Sequence, residues 1–531
     1  MAYSGWKLAI CQCIDHSIAI LNNWQIDVTL ISVVRPKKFS VKFITLFEAF
    51  LAAIRRSFDA DCGNRIAAAI SLIRMFFLMR MRFAHAVPFA LAFVIPAALP
   101  VQADTLNQAM QKALEYHPEI QAGVNSRLAA DKQLRAAKGG YLPSVDLTAG
   151  YGREGSDNTT TRGEGDHWKT LNRGESNLAL RQMVFDGFAT SSEVGRQQAT
   201  VNSRAYALLG TSERTALDVA QVYTDVLRRE EMVRLAEENL KRHQRVYDQI
   251  SLRSSRGVGR LADQDQAEAR LAQAQNNLMT EKTNLADART NYYSVVGSDP
   301  VDLSEPTGLV GQLPDDLQAA RRQLVENSPI LRSAESDVAA AEQQYEAAKS
   351  TFYPRFDAEL SKGADNNLDG EEGHNNEWQA MLRMRYNLFA GGSNKAQLEA
   401  KSYEANQALD IRNNALRQLN EELGLSWNAL NNARDQLPIA RQYVDYSTRV
   451  REAYQKQFTI GERTLLDLLD SENELFNASR RLVDLKYTEL FTQYRIKATL
   501  GELLKSQGVV APMAAVASED VKPKVQLPGL N

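Results

Sequence analysis

Asp467 and Asp470 stand three residues apart, just after a glycine break at Gly461, and share one face of the first turn of a new helical stretch. Carboxylates so placed can complement the positive end of a helix, or gather cations where several copies of the chain meet. Catalysis has little to work with. Beyond residue 103 the four histidines, His117, His167, His243 and His374, fall in separate elements, and no His-Glu-x-x-His, phosphate-binding glycine loop or nucleophile elbow occurs. Cys11, Cys13 and Cys62 are the only cysteines, so nothing after them can form a disulfide or a thiolate metal site. Neither an enzyme nor a cofactor or metal site is expected.

The acids belong to a chain of 531 residues with net charge -3, which hides an asymmetry. Residues 1–103 hold 11 Lys and Arg against 5 acids, so residues 104–531 hold 51 against 60, a balance of -9 that argues against nucleic acid as a partner. Residues 79–103 read as a secretory signal peptide: Met79-Arg80-Met81-Arg82, an apolar run over 86–99, then Val101-Gln102-Ala103 before Asp104. A membrane anchor is the rival reading, but Arg74, Arg80 and Arg82 interrupt the apolar stretch before it reaches the ~20 residues a span needs. Residues 1–78 lack periodicity and are expected to be a non-structural extension.

From Asp104 the sequence predicts two short helices joined at His117-Pro118, a strand after Tyr141-Leu142-Pro143, a polar loop over 154–175, and a second strand ending at Phe185-Asp186-Gly187. A long proline-free helix follows over about 190–250, with Val219, Val226, Val233, Leu240 and Tyr247 at seven-residue spacing. Gly257 and Gly259 turn the chain. The partner helix repeats Leu271, Leu278, Leu285 and Tyr292 and ends at Gly297. The whole order then recurs. Pro143 matches Pro354 at an offset of 211, and Phe185, Gly257, Asp263 and Gly297 match Phe389, Gly461, Asp467 and Gly501 at 204, which marks an internal duplication. The domains expected are repeat 1 at 104–297, a linker or equatorial segment at 298–313, repeat 2 at 314–504 and a flexible tail at 505–531.

In the second hairpin Trp378, Ala380, Leu382, Met384, Tyr386 and Leu388 face one way, and Gln379, Arg383, Arg385 and Asn387 the other. Strands of about ten residues with one apolar face suit an outer membrane, yet four of them cannot close a barrel, which needs about eight. Three chains would supply twelve. The fold class expected is a mixed α/β membrane protein: a trimeric 12-stranded outer-membrane β-barrel continuing into a long α-helical coiled-coil tunnel. The polar loops over 154–175 and 364–376 would face the exterior. A soluble sheet on helices, or a periplasmic coiled-coil scaffold without a barrel, is the competing architecture.

With its duplicated order, its Tyr141-Leu142-Pro143 and Phe352-Tyr353-Pro354 before each first strand, its Phe185-Asp186-Gly187 and Phe389-Ala390-Gly391-Gly392 after each second strand, and its turn at 461–470, the chain resembles the TolC family of outer-membrane channels over residues 104–504. The resemblance implies a homotrimer in outer-membrane lipid, with the helical turns closing the tunnel's periplasmic tip. It also implies a periplasmic adaptor protein and an inner-membrane ABC transporter or efflux pump as partners. The match is nearer the type I secretion branch, because efflux channels of the family often resemble lipoproteins with a cysteine where Asp104 stands; a multidrug or small-molecule efflux channel is the alternative. The family's gate residues map onto Arg463, Asp467 and Asp470, with Asp263 as the first-repeat acid that Arg463 can reach. Phe458 departs from the family's frequent tyrosine, which removes one hydroxyl from the turn. The adaptor would grip the turns at Gly257, Gly259 and Gly461.

If residues 79–103 are cleaved as a signal peptide, N-terminal sequencing of the outer-membrane form will begin at Asp104. Recovery of residues upstream of Met79 would refute it.

Overall fold

The computed structural model describes residues 104–165 and 167–525; the extension and signal peptide expected at 1–103 lie outside the described residues. In chain order come α1 (Leu106–Tyr116), α2 (Pro118–Lys138), β1 (Ser144–Ser156), a short α3 (Thr159–Gly163), β2 (Lys169–Phe185), α4 (Ala189–Ser255) and α5 (Leu261–Val296). The second half adds α6 (Leu317–Asn327), α7 (Pro329–Lys349), β3 (Arg355–Asn366), β4 (His374–Arg385), α8 (Ser393–Thr459), α9 (Leu465–Leu500) and α10 (Leu503–Gln507). The halves are built alike: α4 and α8 each have 67 residues, α5 and α9 each 36.

Local chemistry sets the boundaries. Thr105 and Gln108 form a capping box that starts α1, and Pro118 and Pro329 open α2 and α7 where a missing N–H costs nothing. At ~1.5 Å per residue α4 and α8 each run roughly 100 Å. The seven-residue seams expected in α4 and α5 hold in part: Val219, Val226, Leu271, Leu278 and Tyr292 are buried, but Val233, Leu240, Tyr247 and Leu285 are only partly so, because the buried line of α4 shifts to Met232, Asn239 and Val246. α4 packs on α5 and α8 on α9, and α9 also lies against α4, so the two helical pairs join along their length.

The four strands form one antiparallel sheet in the order β1-β2-β3-β4. Pairing runs from Ser144 opposite Arg181 to Ser156 opposite Lys169, and from Arg355 opposite Arg385 to Asn366 opposite His374, with a bulge between Met183 and Phe185. The strands are longer than expected, so the connections shrink to residues 157–168 and 367–373. Polar residues such as Arg173, opposite Gly152, look like loop in composition, but here they complete the ladder and the Arg173–Glu154 ion pair crosses it.

Two segments are tied down at the middle of the molecule, the second against expectation. The segment at 298–313 is no free linker: the Tyr223 hydroxyl lies 2.7 Å from the carbonyl oxygens of both Asp104 and Ser304, Tyr494 donates to the Thr307 carbonyl, and the Leu309 amide donates to Gln493. The tail is not flexible up to residue 525. Tyr206 donates to the Glu519 carbonyl and accepts from the Val521 amide, Ser518 donates to Asn202, and the Lys524 amide reaches Glu335, itself paired with Arg412 at 2.8 Å. Prolines deny this tail a helix but leave its other amides free to bond to side chains of α4 and α7.

Glu213 of α4 receives the amides of Leu503 and Leu504, at 2.9 Å for the nearer, at the start of α10. Burial nevertheless pushes its carboxyl up to about 8, against those two donors. An acid whose folded value is raised stabilises the fold at low pH, and that contribution is lost as pH rises from about 4 through about 8. Replacing Glu213 with Gln should therefore flatten the fall of thermal stability of the detergent-solubilised protein between pH 5 and 8. An unchanged slope would mean that the two amides hold Glu213 ionised.

Candidate functional site

The far ends of the two helical pairs are made the same way. At the end of α4, Gly257 takes φ +72°, its amide donates to the Ser254 carbonyl at 2.9 Å and the Val258 amide to Arg253 at 3.0 Å. At the end of α8, Gly461 takes φ +84°, with its amide on Phe458 at 3.2 Å and the Glu462 amide on Gln457 at 2.9 Å. Both are Schellman caps, whose left-handed residue carries a penalty of ~1 kcal/mol or more for any side chain. Nothing lies within 4 Å of a Cβ built at either glycine, so the requirement is conformational. Gly259 differs, because a Cβ there would fall 2.9 Å from the Ser254 amide nitrogen. Around these turns Val258 is 81% and Ile460 69% exposed.

The acids at the start of α9 are each engaged within the chain. Thr464 is the N-cap, its hydroxyl accepting from the Asp467 amide at 3.2 Å and donating to the Asp467 carboxylate at 2.8 Å. Asp467 thus closes a capping box. Asp470 pairs with Arg270 of α5 at 3.2 Å. Arg463 donates to Gln457 at 2.9 Å, lies 4.3 Å above the Tyr454 ring and is 3.9 Å from Asp467. Asp263, in the first turn of α5, makes no ion pair among the described residues, so within one chain Arg463 is joined to Asp467 and not to Asp263. The reason is local: five residues of turn separate α8 from α9, and Asp467 is one helical turn from Arg463. Phe458 is buried with Val246, Ile250, Ala267, Leu465, Leu468 and Leu469, and the Arg253 guanidinium sits 5.0 Å over its ring. An apolar ring with a cation above it takes the place of the hydroxyl expected there.

Arg270 is the participant that the sequence concealed. Its contact crosses between the repeats, and the position that matches it 204 residues on is Glu474, so duplication gives no cue. Two residues after Asp470, Glu472 is buried between Arg242 and Arg451, each 3.7 Å away; burial raises its carboxyl above the ordinary range although both arginines oppose this. His243 nearby is pushed down to about 4, by burial first and then by Arg270 and Arg242. Neutral at physiological pH, it adds no charge here.

At the other end of the molecule the sheet separates two chemistries. Val145, Leu147, Tyr151, Leu178, Leu360, Leu382 and Met384 occupy one face in register, and all are exposed on the chain. Asp357, Glu359, Arg181, Arg383 and Arg385 occupy the other. An isolated sheet with a bare apolar face and two unpaired edge strands is incomplete. Among the described residues no helix is long and apolar enough to cross a membrane, and no group of three or more His, Cys, Asp or Glu could hold a metal.

Comparison with known proteins agrees with this geometry and with the motif resemblance. A family model described as outer membrane efflux protein matches residues 109–298 and 320–502. The outer membrane efflux protein BepC of Brucella suis is 23% identical, covering 76% of this chain and 87% of its own. The outer membrane protein TolC of Escherichia coli is 22% identical over 80% of this chain and 88% of its own, and the alkaline protease secretion protein AprF of Pseudomonas aeruginosa 24% identical over 74% and 83%. Among solved structures, the Campylobacter jejuni CmeC outer membrane channel superposes with a TM-score of 0.67 at 16% identity, covering 75% of this chain and 86% of that one.

Proposed function

This chain belongs to the outer membrane efflux protein family, and on that premise we propose that it is the exit duct of a tripartite type I secretion system, passing a protein substrate from an inner-membrane ABC transporter and a periplasmic adaptor to the exterior. Architecture and place follow from the family: each chain contributes four strands to a trimeric barrel in the outer membrane and its long helices to a periplasmic tunnel. A transport channel of this kind is not an enzyme. The observation that carries the secretion reading is the absence of any cysteine after Cys62, which leaves no thiol for a lipid anchor of the efflux type. The relative named for alkaline protease secretion supports it. Export of drugs or other small molecules is the second reading, favoured by the name of the efflux relative. Deleting the gene separates the two. Under the secretion reading a large protein disappears from the culture medium while drug susceptibility stays at the parental level; heightened susceptibility with an unchanged secretome would overturn it.

The turns at Gly257, Gly259 and Gly461 are proposed as the adaptor's docking surface, supported by the exposed Val258 and Ile460 beside them. Arg463, Asp467, Asp470, Asp263 and Phe458 are proposed as the gate, with the Arg463 to Asp263 link made between neighbouring chains. Exposed pairs such as Arg270–Asp470 are worth ~0.5 to 1 kcal/mol each, so a trimer's set is weak enough for a docked adaptor to break. Arg270→Ser should free Asp470 and strengthen block of the single-channel current by multivalent cations, whereas Asp467→Ala with Asp470→Ala should abolish that block. Current and block unchanged in both variants would place the gate elsewhere.

A further inference from the structure

The polar face of the sheet carries a charge cluster that neither the pairing of strands nor the gate uses. Asp357, fully buried, accepts from Arg355 Nε at 3.0 Å and from Arg385 Nη1 at 3.1 Å. Glu359 accepts from Arg383 Nε at 2.8 Å and Arg385 Nη2 at 3.0 Å, and Arg181 Nε lies 3.3 Å from it. Four guanidiniums therefore share two carboxylates. Their side chains remain 53% (Arg181), 49% (Arg355), 41% (Arg383) and 47% (Arg385) exposed, and each guanidinium has five N–H donors, of which these contacts use one or two.

This surplus is not a requirement of the fold. Arg355 stands directly opposite Arg385, a like-charge pairing that weakens a sheet. The matching positions of the first hairpin hold Ser144 for Arg355, Thr148 for Glu359 and Ala179 for Arg383, and that hairpin pairs along its whole length. Arg355 is the first residue of β3 and Arg385 the last of β4, which puts the cluster at the helix side of the sheet. Beyond it along the strands the polar face stays acidic on balance, with Asp146, Glu154, Glu175, Asp365 and Glu377 against Lys169 and Arg173, the latter paired with Glu154 and Glu175. Closing the barrel sets β4 beside β1 of a neighbouring chain, whose nearest polar-face acid is Asp146; paired there, it would still leave four guanidiniums to three carboxylates.

We propose that these arginines form an anion-binding belt lining the barrel where the tunnel opens into it, and that its ligand is a carboxylate-rich stretch of the passing polypeptide. The proposal rests on the channel reading, because only a closed barrel turns this face onto a lumen. Planar guanidiniums fit carboxylates and phosphates alike, but a ring repeated by three chains favours a polyanion over a single ion through effective concentration. The acidic rows beyond repel the same ligand, so it is held briefly and released outward.

The test uses the purified full-length trimer in planar bilayers, with a ten-residue oligoglutamate or inorganic phosphate at equal charge added from the barrel side. Oligoglutamate is expected to block the current and phosphate is not; block by phosphate as strong as by oligoglutamate would overturn the polypeptide assignment. Arg181→Gln with Arg383→Gln leaves two arginines to two carboxylates, and should weaken the block at least tenfold while the unblocked conductance holds. Arg383→Gln alone, in trimers verified on gels, should give an intermediate value. A conducting wild-type channel that oligoglutamate does not block, or a double variant blocked as the wild type is, overturns the belt alone. Failure of any preparation to conduct would take the channel reading down with it.

Discussion

The structure depends on a sheet that cannot stand alone. Four strands leave the outer backbone groups of β1 and β4 unpaired, and leave Val145, Leu147, Tyr151, Leu382 and Met384 bare on one face. In water the apolar face is unfavourable; in hydrocarbon the open edges are, since each unsatisfied N–H or C=O there costs several kcal/mol. Only closure with other copies relieves both. The same closure brings three sets of long helices together below the sheet, so the barrel's need for edge partners determines the tunnel's symmetry.

Helices of roughly 100 Å joined only through narrow seams need a fixed point, and the middle of the molecule supplies it. Leu106, Met110, Leu208, Tyr223, Tyr292 and Tyr494 form one core there, into which the segment at 298–313 and the tail to residue 525 are tied by tyrosine hydroxyls, buried glutamates and backbone amides. Burial decides the chemistry of these ties: it raises Tyr223 and Tyr494 above the usual phenol range, so they stay neutral donors at any physiological pH. Toward the tips the seams carry more charge, with Glu281 and Glu472 reached by arginines of the other repeat. Apolar packing fixes the middle, and toward the tips ion pairs accompany the apolar cluster around Phe458.

Periodicity and duplication made most of this legible. Offsets of 211 and 204 place every principal helix of the second half, since a seam that must stay buried tolerates no insertion, whereas the hairpins absorb the seven-residue difference, five of it in the loops at 157–168 and 367–373. Composition misled where it stood in for pairing. Residues 169–175 are polar yet extend β2, because on the inner face of a barrel polar side chains are the rule. The tail is proline-bearing yet ordered to residue 525, because its amides find side chains far away in sequence. Contacts between repeats, above all Arg270 with Asp470 and Arg228 with Asp484, leave no trace in either repeat's own pattern.

The two acids at the start of α9 have different duties in any opening motion. Asp467 is bonded to Thr464 and lies near Arg463, all on the same segment, so it travels with its helix and its cap survives whatever that helix does. Asp470 is bonded across to α5, and that pair must break if α5 and α9 part. Phe458 and its neighbours, by contrast, bind the end of α8 to α9 and α4, and through Ala267 to α5 as well, by apolar contact that resists separation in proportion to the buried area. Between α5 and α9 the exposed Arg270–Asp470 pair, worth ~0.5 to 1 kcal/mol, is therefore weaker than the buried contacts of Ala267 with the α9 leucines and than the Glu281–Arg480 pair, whose carboxylate is buried.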